Sequence, residues 1–325
     1  MVSGLVLSIV VPCYNEAPVL PETRKRLEAL LRQLIDDQRI DGRSRIWFVD
    51  DGSRDATWPL IHQASLAPES LVCGIKLSRN RGHQAALMAG LMTASGDVLV
   101  SVDADLQDDL SVIPQMLTDF AAGNEIVYAA RRKRSSDTFF KRFTAEGYYK
   151  LLAALGVDVV FNHADYRLMS RRAVEAMRQY REPHLFLRAL VPQLGYRSSV
   201  VEFDRAERFA GESKYPLRKM LAFAWEGITS FTAYPLRLIT GIGLVISMLS
   251  LCAGVWALFV VLFTTRALPG WASTVIPVYF LGGVQLLGLG MIGEYVAKVF
   301  EATKQRPLYH VETISGQGVG PVIGP

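Results

Sequence analysis

Two long uncharged apolar runs near the C-terminus constrain this chain more than any other feature. Leu238–Phe263 holds no charged residue, nor does Ala267–Gly293, and Arg266 is the single charge across 238–293. A helix needs roughly 20 apolar residues to cross a bilayer, and both runs are long enough. Each Lys, Arg or Asp at a helix centre would cost about 2.5–3.5 kcal/mol, so the purity of the runs is informative. The alternative, a pair of buried helices in a soluble protein, fits this length and purity poorly. The link Thr264–Gly270 is short and carries Pro269-Gly270, which suits a hairpin. Arg218, Lys219 and Arg237 precede the first run, and Lys298, Lys304 and Arg306 follow the second. Positive charge favours the cytoplasmic side, so the expected topology is a multi-pass protein of the cell (inner) membrane with both termini cytoplasmic. Gly283 and Gly290 stand seven apart and offer a small-residue face, for packing within the hairpin or in a homo-oligomer.

The rest of the chain is a charged globular sequence. Residues 1–214 read as a catalytic domain, 215–237 as an amphipathic juxtamembrane helix, 238–298 as the two spans and 299–325 as a cytoplasmic tail. An ordinary surface helix is the competing reading of 215–237, and Lys141–Leu155 is a second, weaker amphipathic candidate. The net charge of +4 gives no argument for a nucleic-acid partner. The basic cluster Arg131-Arg132-Lys133-Arg134 reads first as a solvated face, and beside a membrane it also suits anionic headgroups. Three cysteines without a close pair fit a reducing compartment. Leu5–Val11 is too short, and lacks a preceding basic residue, for a signal peptide.

Leu5–Val11, Arg45–Val49, Leu71–Leu77, Asp97–Val102 and Glu125–Ala129 read as strands, with helix-spaced apolar residues between them. That alternation predicts an α/β fold with a mostly parallel sheet covered on both faces. Ligands then bind beyond the carboxyl ends of the strands. Three strand ends carry polar clusters: Pro12-Cys13-Tyr14-Asn15-Glu16, Asp50-Asp51-Gly52-Ser53, and Asp103-Ala104-Asp105-Leu106-Gln107-Asp108. One acidic tip is usually a solvated turn or a helix cap, and Asp55 fits a cap. Three tips at one edge, two with paired acids, favour a binding site. Asp103 and Asp105 flank one residue after a buried strand, and positions i and i+2 of an extended segment point the same way, so the two carboxylates can converge on one hard cation, Mg2+ or Mn2+. No glycine-rich phosphate loop follows the first strand, so a ligand's phosphates need metal and basic side chains.

These three motifs resemble the donor site of family 2 glycosyltransferases with the GT-A fold, a Rossmann-like sheet. Ala164-Asp165-Tyr166-Arg167-Leu168-Met169-Ser170-Arg171, Arg208-Phe209-Ala210-Gly211-Glu212-Ser213-Lys214-Tyr215 and Gly293-Glu294-Tyr295 are similar to the polyisoprenyl-phosphate branch. Glu226–Phe231 adds likeness to the bactoprenol glucosyltransferases. Asp109 stands where that family usually has Pro, which bears on the start of the following helix. The resemblance implies that Pro12, Tyr14, Glu16, Asp51, Asp103 and Ala104 line a nucleotide-sugar pocket. It implies that Asp103, Asp105 and Gln107 hold the metal, and that Arg208, Ser213, Lys214 and Arg131 face phosphates. Asp165 would be the base. It implies inverting transfer of a hexose, glucose first, from a nucleotide-sugar such as UDP-glucose to polyisoprenyl (undecaprenyl) phosphate for cell-envelope glycans.

The residues themselves keep alternatives open for Asp165. A phosphate acceptor is already anionic near neutral pH and needs no base, so Asp165 can instead position Arg167 or the acceptor, or cap the helix Arg171–Met177. A processive polysaccharide synthase would share the donor site, but its Gln-x-x-Arg-Trp motif is absent from the sequence. A non-catalytic carrier of lipid-linked sugars leaves the acidic motif unexplained.

Overall fold

The computed structural model describes residues 4–131, 163–180, 187–203, 234–263 and 270–316. They fall into two compact units, one holding the residues up to 203 together with 306–316, the other holding 234–263 and 270–305.

The first unit is built on β1 (Leu7–Cys13), α1 (Leu20–Asp36), β2 (Arg45–Asp50), α2 (Thr57–Leu66), β3 (Val72–Leu77), α3 (His83–Thr93), β4 (Val98–Ser101), α4 (Ile113–Ala121), β5 (Ile126–Arg131), β6 (His163–Ser170), α5 (Arg171–Met177), α6 (Leu187–Gln193), β7 (Ser198–Phe203) and β8 (Val311–Ser315). All five predicted strands form, within two residues of their expected ends. The sheet order is β7-β5-β6-β4-β1-β2-β3-β8. β4, β1, β2 and β3 run parallel, as do β5 and β7, while β6 and β8 run against their neighbours. This is the mostly parallel α/β sheet of the GT-A fold, with apolar layers on both faces. Continuous burial along β1, with all seven residues covered, is what a central strand sandwiched between helices requires.

α3 sits very close to the sheet. At Gly90 a Cβ would stand 2.3 Å from Val10 Cγ1 and 2.7 Å from Val49 Cγ2, so only glycine allows this approach. Glycine inside a helix costs about 1 kcal/mol relative to alanine, and here the close packing of α3 on β1 and β2 offsets it. The consequence reaches the site, because the N-terminus of α3 lies at the carboxyl ends of the parallel strands.

β6, β7 and β8 escaped the sequence reading. Residues 311–315 were expected in a tail, yet they form an edge strand antiparallel to β3. Alternating burial is poor in this segment, so its local pattern gave no signal. Tertiary contacts hold it: Ser65 Oγ lies 2.8 Å from Ser315 Oγ, and Ser78 N–H donates to the His310 carbonyl at 3.0 Å. Covering the outer edge of β3 in this way removes a template for unwanted strand pairing.

The second unit contains α7 (Tyr234–Phe263), of 30 residues, and α8 (Trp271–Thr303), of 33. Among the described residues, Phe280–Thr303 is long and apolar enough to cross a membrane by length and composition. Within this unit a Cβ added at Gly288 would stand 3.5 Å from Ile239 Cγ2, whereas one added at Gly283 or Gly290 would meet nothing within 4 Å among the described residues. The amphipathic candidates at 215–233 and 141–155 lie outside the described residues.

Candidate active site

The first two strand tips are locked together by side chain to backbone bonds. Asn15 adopts a φ of 56°, and its N–H donates to Ser53 Oγ at 2.9 Å while its Oδ1 accepts from Arg54 N–H at 2.9 Å. Glu16 N–H donates to Thr57 Oγ1 at 2.9 Å. Asp55 accepts from Ala17 N–H at 3.1 Å and from Thr57 N–H at 3.0 Å. Asp55 therefore ties the β1–α1 loop to the start of α2, a larger task than the single cap expected of it. Pro12 is buried in register with Val49, and Tyr14 stays largely exposed at the tip.

Asp51 is buried, and its two oxygens accept the backbone N–H groups of Arg81, at 2.7 Å, and Gly82, at 2.9 Å. Burial pushes its carboxyl above the usual range, and the two amides offset that only in part. Gly52 has φ +66°, and a Cβ there would lie 2.6 Å from backbone atoms of Arg79 and Asn80. The Asp51-Gly52 turn thus fixes the loop that leads into α3.

β4 ends at Ser101, and Ala104 and Asp105 lie in a turn. The expected extended-strand alternation of Asp103 and Asp105 does not hold, because the backbone bends before it can apply. The turn itself supplies the order: Asp105 Oδ1 accepts from Gln107 N–H at 3.2 Å, and Leu106 takes a φ of 58°. Thr23 Oγ1, on α1, donates to the Ala104 carbonyl at 2.8 Å and pins the turn to the core. Asp109, the departure from the usual Pro, caps the short helix Leu110–Val112 by accepting from Ser111 N–H at 2.9 Å.

The residues of this turn fit a divalent cation. Asp103 and Asp105 are both partly exposed, and the buried Gln107 Oε1 has no hydrogen-bond partner among the described residues. A buried acceptor left this way costs free energy unless a ligand meets it. Among the described residues no cluster of three or more His, Cys, Asp or Glu forms a ready-made metal cage. Magnesium-type sites typically use one or two carboxylates and complete the shell with water and substrate phosphate, so the sparse set is compatible.

Asp165 occupies a different environment. The antiparallel register of β4 and β6 pairs Ser101 with Arg167, and Asp165 lies two residues before Arg167 on β6. Asp165 is buried on the face that packs against α3 and α6. Its Oδ1 accepts from Arg167 Nη2 at 2.7 Å, and its Oδ2 accepts from Gln84 Nε2 at 3.1 Å. Arg188 approaches side-on, Nε at 3.4 Å from Oδ1 and Nη2 at 3.3 Å from Oδ2. His83 Nε2 stands 3.6 Å from both Asp165 Oδ2 and Asp103 Oδ1, linking the two acidic positions. Burial opposes the charged form of Asp165. The His83 contact and the Arg188 and Arg167 guanidiniums outweigh burial and hold the carboxyl far below the usual carboxylate range. His83 is shifted upward: burial works against its charge, but the Asp165 and Asp103 carboxylates prevail.

The helix-cap reading of Asp165 fails. Ser170 caps α5 by accepting from Ala173 N–H at 3.0 Å, and Asp165 lies five residues upstream inside β6. Asp165 and Arg167 are in direct contact, at 2.7 Å. Arg167 is buried, and its Nη1 donates to the Leu187 carbonyl at 3.1 Å. His83, Gln84 and Arg188 were missed by the sequence reading. The first two follow β3, whose carboxyl end obeys the same rule as the three tips that were singled out. Arg188 had no local signal. Arg131 ends β5 at this same edge of the sheet. Arg208, Ser213 and Lys214 lie outside the described residues.

Comparison with known proteins matches residues 8–178 to the family "Glycosyl transferase family 2". An uncharacterized glycosyltransferase, YkoT, of Bacillus subtilis (strain 168) is 49% identical, over 94% of this chain and 91% of that one. The bactoprenol glucosyl transferase of Shigella phage SfV is 38% identical, over 94% and 98%. A solved structure, the mannosyltransferase PcManGT from Pyrobaculum calidifontis in complex with GDP-Man and Mn2+, aligns with a TM-score of 0.45 at 16% identity, over 94% and 87%. With the family pattern running from β1 through β6, and near full-length relatives at these identities, the chain belongs to glycosyl transferase family 2 and is an inverting glycosyltransferase.

Proposed function

We propose that this enzyme transfers a hexose, glucose first among candidates, from a nucleotide-sugar such as UDP-glucose to the phosphate of a polyisoprenyl lipid such as undecaprenyl phosphate. The observation that carries this reading is the state of Asp165. A general base works best with a pKa near the operating pH, and this carboxyl is held far below it with both oxygens already accepting hydrogen bonds. A hydroxyl acceptor would need a base. A phosphate monoester carries about −1.5 to −2 charge at neutral pH and attacks without one. The name of the SfV relative and the long apolar helices support a lipid acceptor at a membrane surface.

In this reading Pro12, Tyr14, Glu16, Asp51 and Ala104 shape the donor pocket. Asp103, Asp105 and Gln107 hold a divalent cation, which supplies charge neutralisation for the diphosphate as it leaves. Asp165 keeps its guanidinium partners aligned and takes up no proton during turnover. The acceptor phosphate oxygen attacks the anomeric carbon opposite the leaving diphosphate, and this single displacement inverts configuration. Arg131, Arg208, Ser213 and Lys214 relieve repulsion between the two anionic substrates. The apolar helices anchor the catalytic unit at the inner membrane as a two-span hairpin, with both termini cytoplasmic.

The test is a donor panel of UDP-glucose, UDP-galactose, UDP-N-acetylglucosamine and GDP-mannose. It uses the purified full-length protein, Mn2+ or Mg2+, and a short-chain polyprenyl phosphate. The expected product is a polyprenyl-phosphate hexose of inverted configuration with release of the nucleoside diphosphate. Transfer to a sugar hydroxyl, with none to the phosphate, overturns the reading.

A further inference from the structure

β8 does more than cover the edge of β3. Its register pairs Gly74 with Ser315, Ile75 with Ile314 and Lys76 with Thr313, then shifts so that Leu77 pairs with Val311. The shift leaves Glu312 as an extra residue between Thr313 and Val311, a bulge at the carboxyl end of β3. Its effect follows from the two-residue period of a strand. Ile75 and Leu77 belong to the apolar layer that α3 also enters, and Ile314 and Val311 stand beside them in register. Ile314 and Val311 are an odd number of residues apart, so an unbulged strand would send them to opposite faces. With the extra residue both pack on the α3 layer, and Tyr309 joins them there.

The pairing then runs past the ends of both strands. Ser78, the residue after β3, donates its N–H to the carbonyl of His310, the residue before β8, at 3.0 Å. This bond lies at the root of the loop 78–82. Further along, the backbone of Arg79 and Asn80 approaches Gly52 so closely that a Cβ there would stand 2.6 Å away. The N–H groups of Arg81 and Gly82 donate to Asp51 at 2.7 and 2.9 Å. α3 starts directly after, at His83. Protecting a sheet edge requires only pairing along β3. Pairing re-aimed by a bulge and carried into the loop holds one end of that loop, while Asp51 holds the other.

We propose that β8 is a positioning element of the donor site: through its bulge and the His310–Ser78 bond it fixes the loop 78–82 and so helps set donor affinity. The strand follows α8 through residues 304–310, so the segment that leaves the apolar helices takes part in donor binding. The proposal rests on the donor reading of Asp51 given above, and one arm of its test does not.

The full-length protein is compared with a Glu312 deletion, with Glu312→Ala and with the Tyr309→Ala/Val311→Ala pair. Deleting Glu312 removes the bulge and moves Val311 and His310 out of register. Glu312→Ala keeps the register and removes only an exposed ion pair with Lys76. Two quantities are read: UDP affinity by calorimetry with Mn2+, and hydrogen exchange of the loop amides, those of Arg81 and Gly82 above all. The deletion should weaken UDP binding by about 3- to 10-fold, the scale of reordering one loop on binding. It should also speed exchange of the two amides, because the loop opens more often. Glu312→Ala should stay within about two-fold of the parent in both, as expected for an exposed pair. Tyr309→Ala/Val311→Ala keeps the register and thins the packing on the α3 layer. It should move both quantities in the direction of the deletion, and it decides the matter if the deletion variant does not fold. Unchanged exchange at Arg81 and Gly82 in a folded variant of lowered melting temperature means that β8 is an edge cover only, and the proposal fails. Glu312→Ala matching the deletion would assign the effect to the ion pair, which also overturns it. Faster exchange with unchanged UDP affinity, in a protein whose parent binds UDP, overturns the link to the donor. A parent that binds no UDP sinks the donor reading instead, and the exchange arm alone then decides whether β8 holds the loop.

Discussion

The turn after β4 and the start of β6 are bridged by His83, 3.6 Å from a carboxylate of each, yet they treat carboxylates in opposite ways. In the turn, Asp103 and Asp105 are partly exposed and a buried acceptor, Gln107 Oε1, has no hydrogen-bond partner among the described residues. At Asp165 a single buried carboxylate is surrounded by Arg167, Arg188, His83 and Gln84. The first arrangement keeps its two carboxylates partly open to solvent. The second engages its carboxylate within the protein. The difference teaches that an acidic residue near a reacting centre is not a base by virtue of its place. Its partners decide whether its charge serves substrate or scaffold.

The largest expected effect falls on the turn. Asp105→Asn should reduce transfer by about 100- to 1,000-fold, the scale of losing one preorganised electrostatic group at a developing charge. Because Asp105 is partly exposed, melting temperature should stay near that of the parent. A large fall in stability would erase the contrast between the two regions. Turnover near the parent level in Asp105→Asn, or in excess chelator, would refute the metal role.

Asp165→Asn should damage both activity and stability. Truncating one partner of a buried charge pair typically costs about 3–5 kcal/mol, and asparagine, which keeps one oxygen, should cost less than alanine. The sign with pH follows from the depressed folded-state pKa of Asp165. Its contribution is complete above the unfolded value of about 4 and is lost as pH falls below it. The melting-temperature gap between parent and Asp165→Asn should therefore be flat from neutral pH down to mildly acidic pH, and narrow under stronger acid. The rate should fall while the pH dependence of the acceptor phosphate persists. A limb of the pH–rate curve that disappears in Asp165→Asn, with acceptor binding unchanged, would make Asp165 the base after all.

A smaller effect is expected where the two regions are tied. Gly52→Ala places a Cβ against the backbone of Arg79 and Asn80 at a positive φ. Strain of this kind costs about 1–3 kcal/mol, and it should loosen the loop entering α3 and hence His83 and Gln84. Unfolding in denaturant gives the stability term, and a rise in KM for the donor gives the functional one. Parent-like values for both would mean the loop adapts freely. The smallest effect should come from Glu312→Ala, which removes the exposed Lys76–Glu312 pair at 2.9 Å on the edge strand. Exposed pairs contribute about 0–1 kcal/mol, so a larger loss would show that the contrast between buried and exposed ion pairs does not hold here.

The sequence alone determined the parallel core strands, the two apolar runs and the three polar strand tips. Each is a local property: apolar runs of strand length, uncharged length, and acids at the end of a buried run. Pro12, Asp51, Asp103 and Asp105 could be marked for that reason. The link from Asp165 through His83 to Asp103, at 3.6 Å on each side, came only with the tertiary structure, because an antiparallel pairing between β4 and a strand more than sixty residues later has no local signature. The same holds for β8, which closes the edge of β3 from the far end of the chain, and for Arg188, whose α6 is a single short helix without a motif. What Asp165 does depends on which cations reach it. Those come from α3, β6 and α6 together, and the electrostatics of that cluster exist only once long-range packing has excluded water from around the carboxylate.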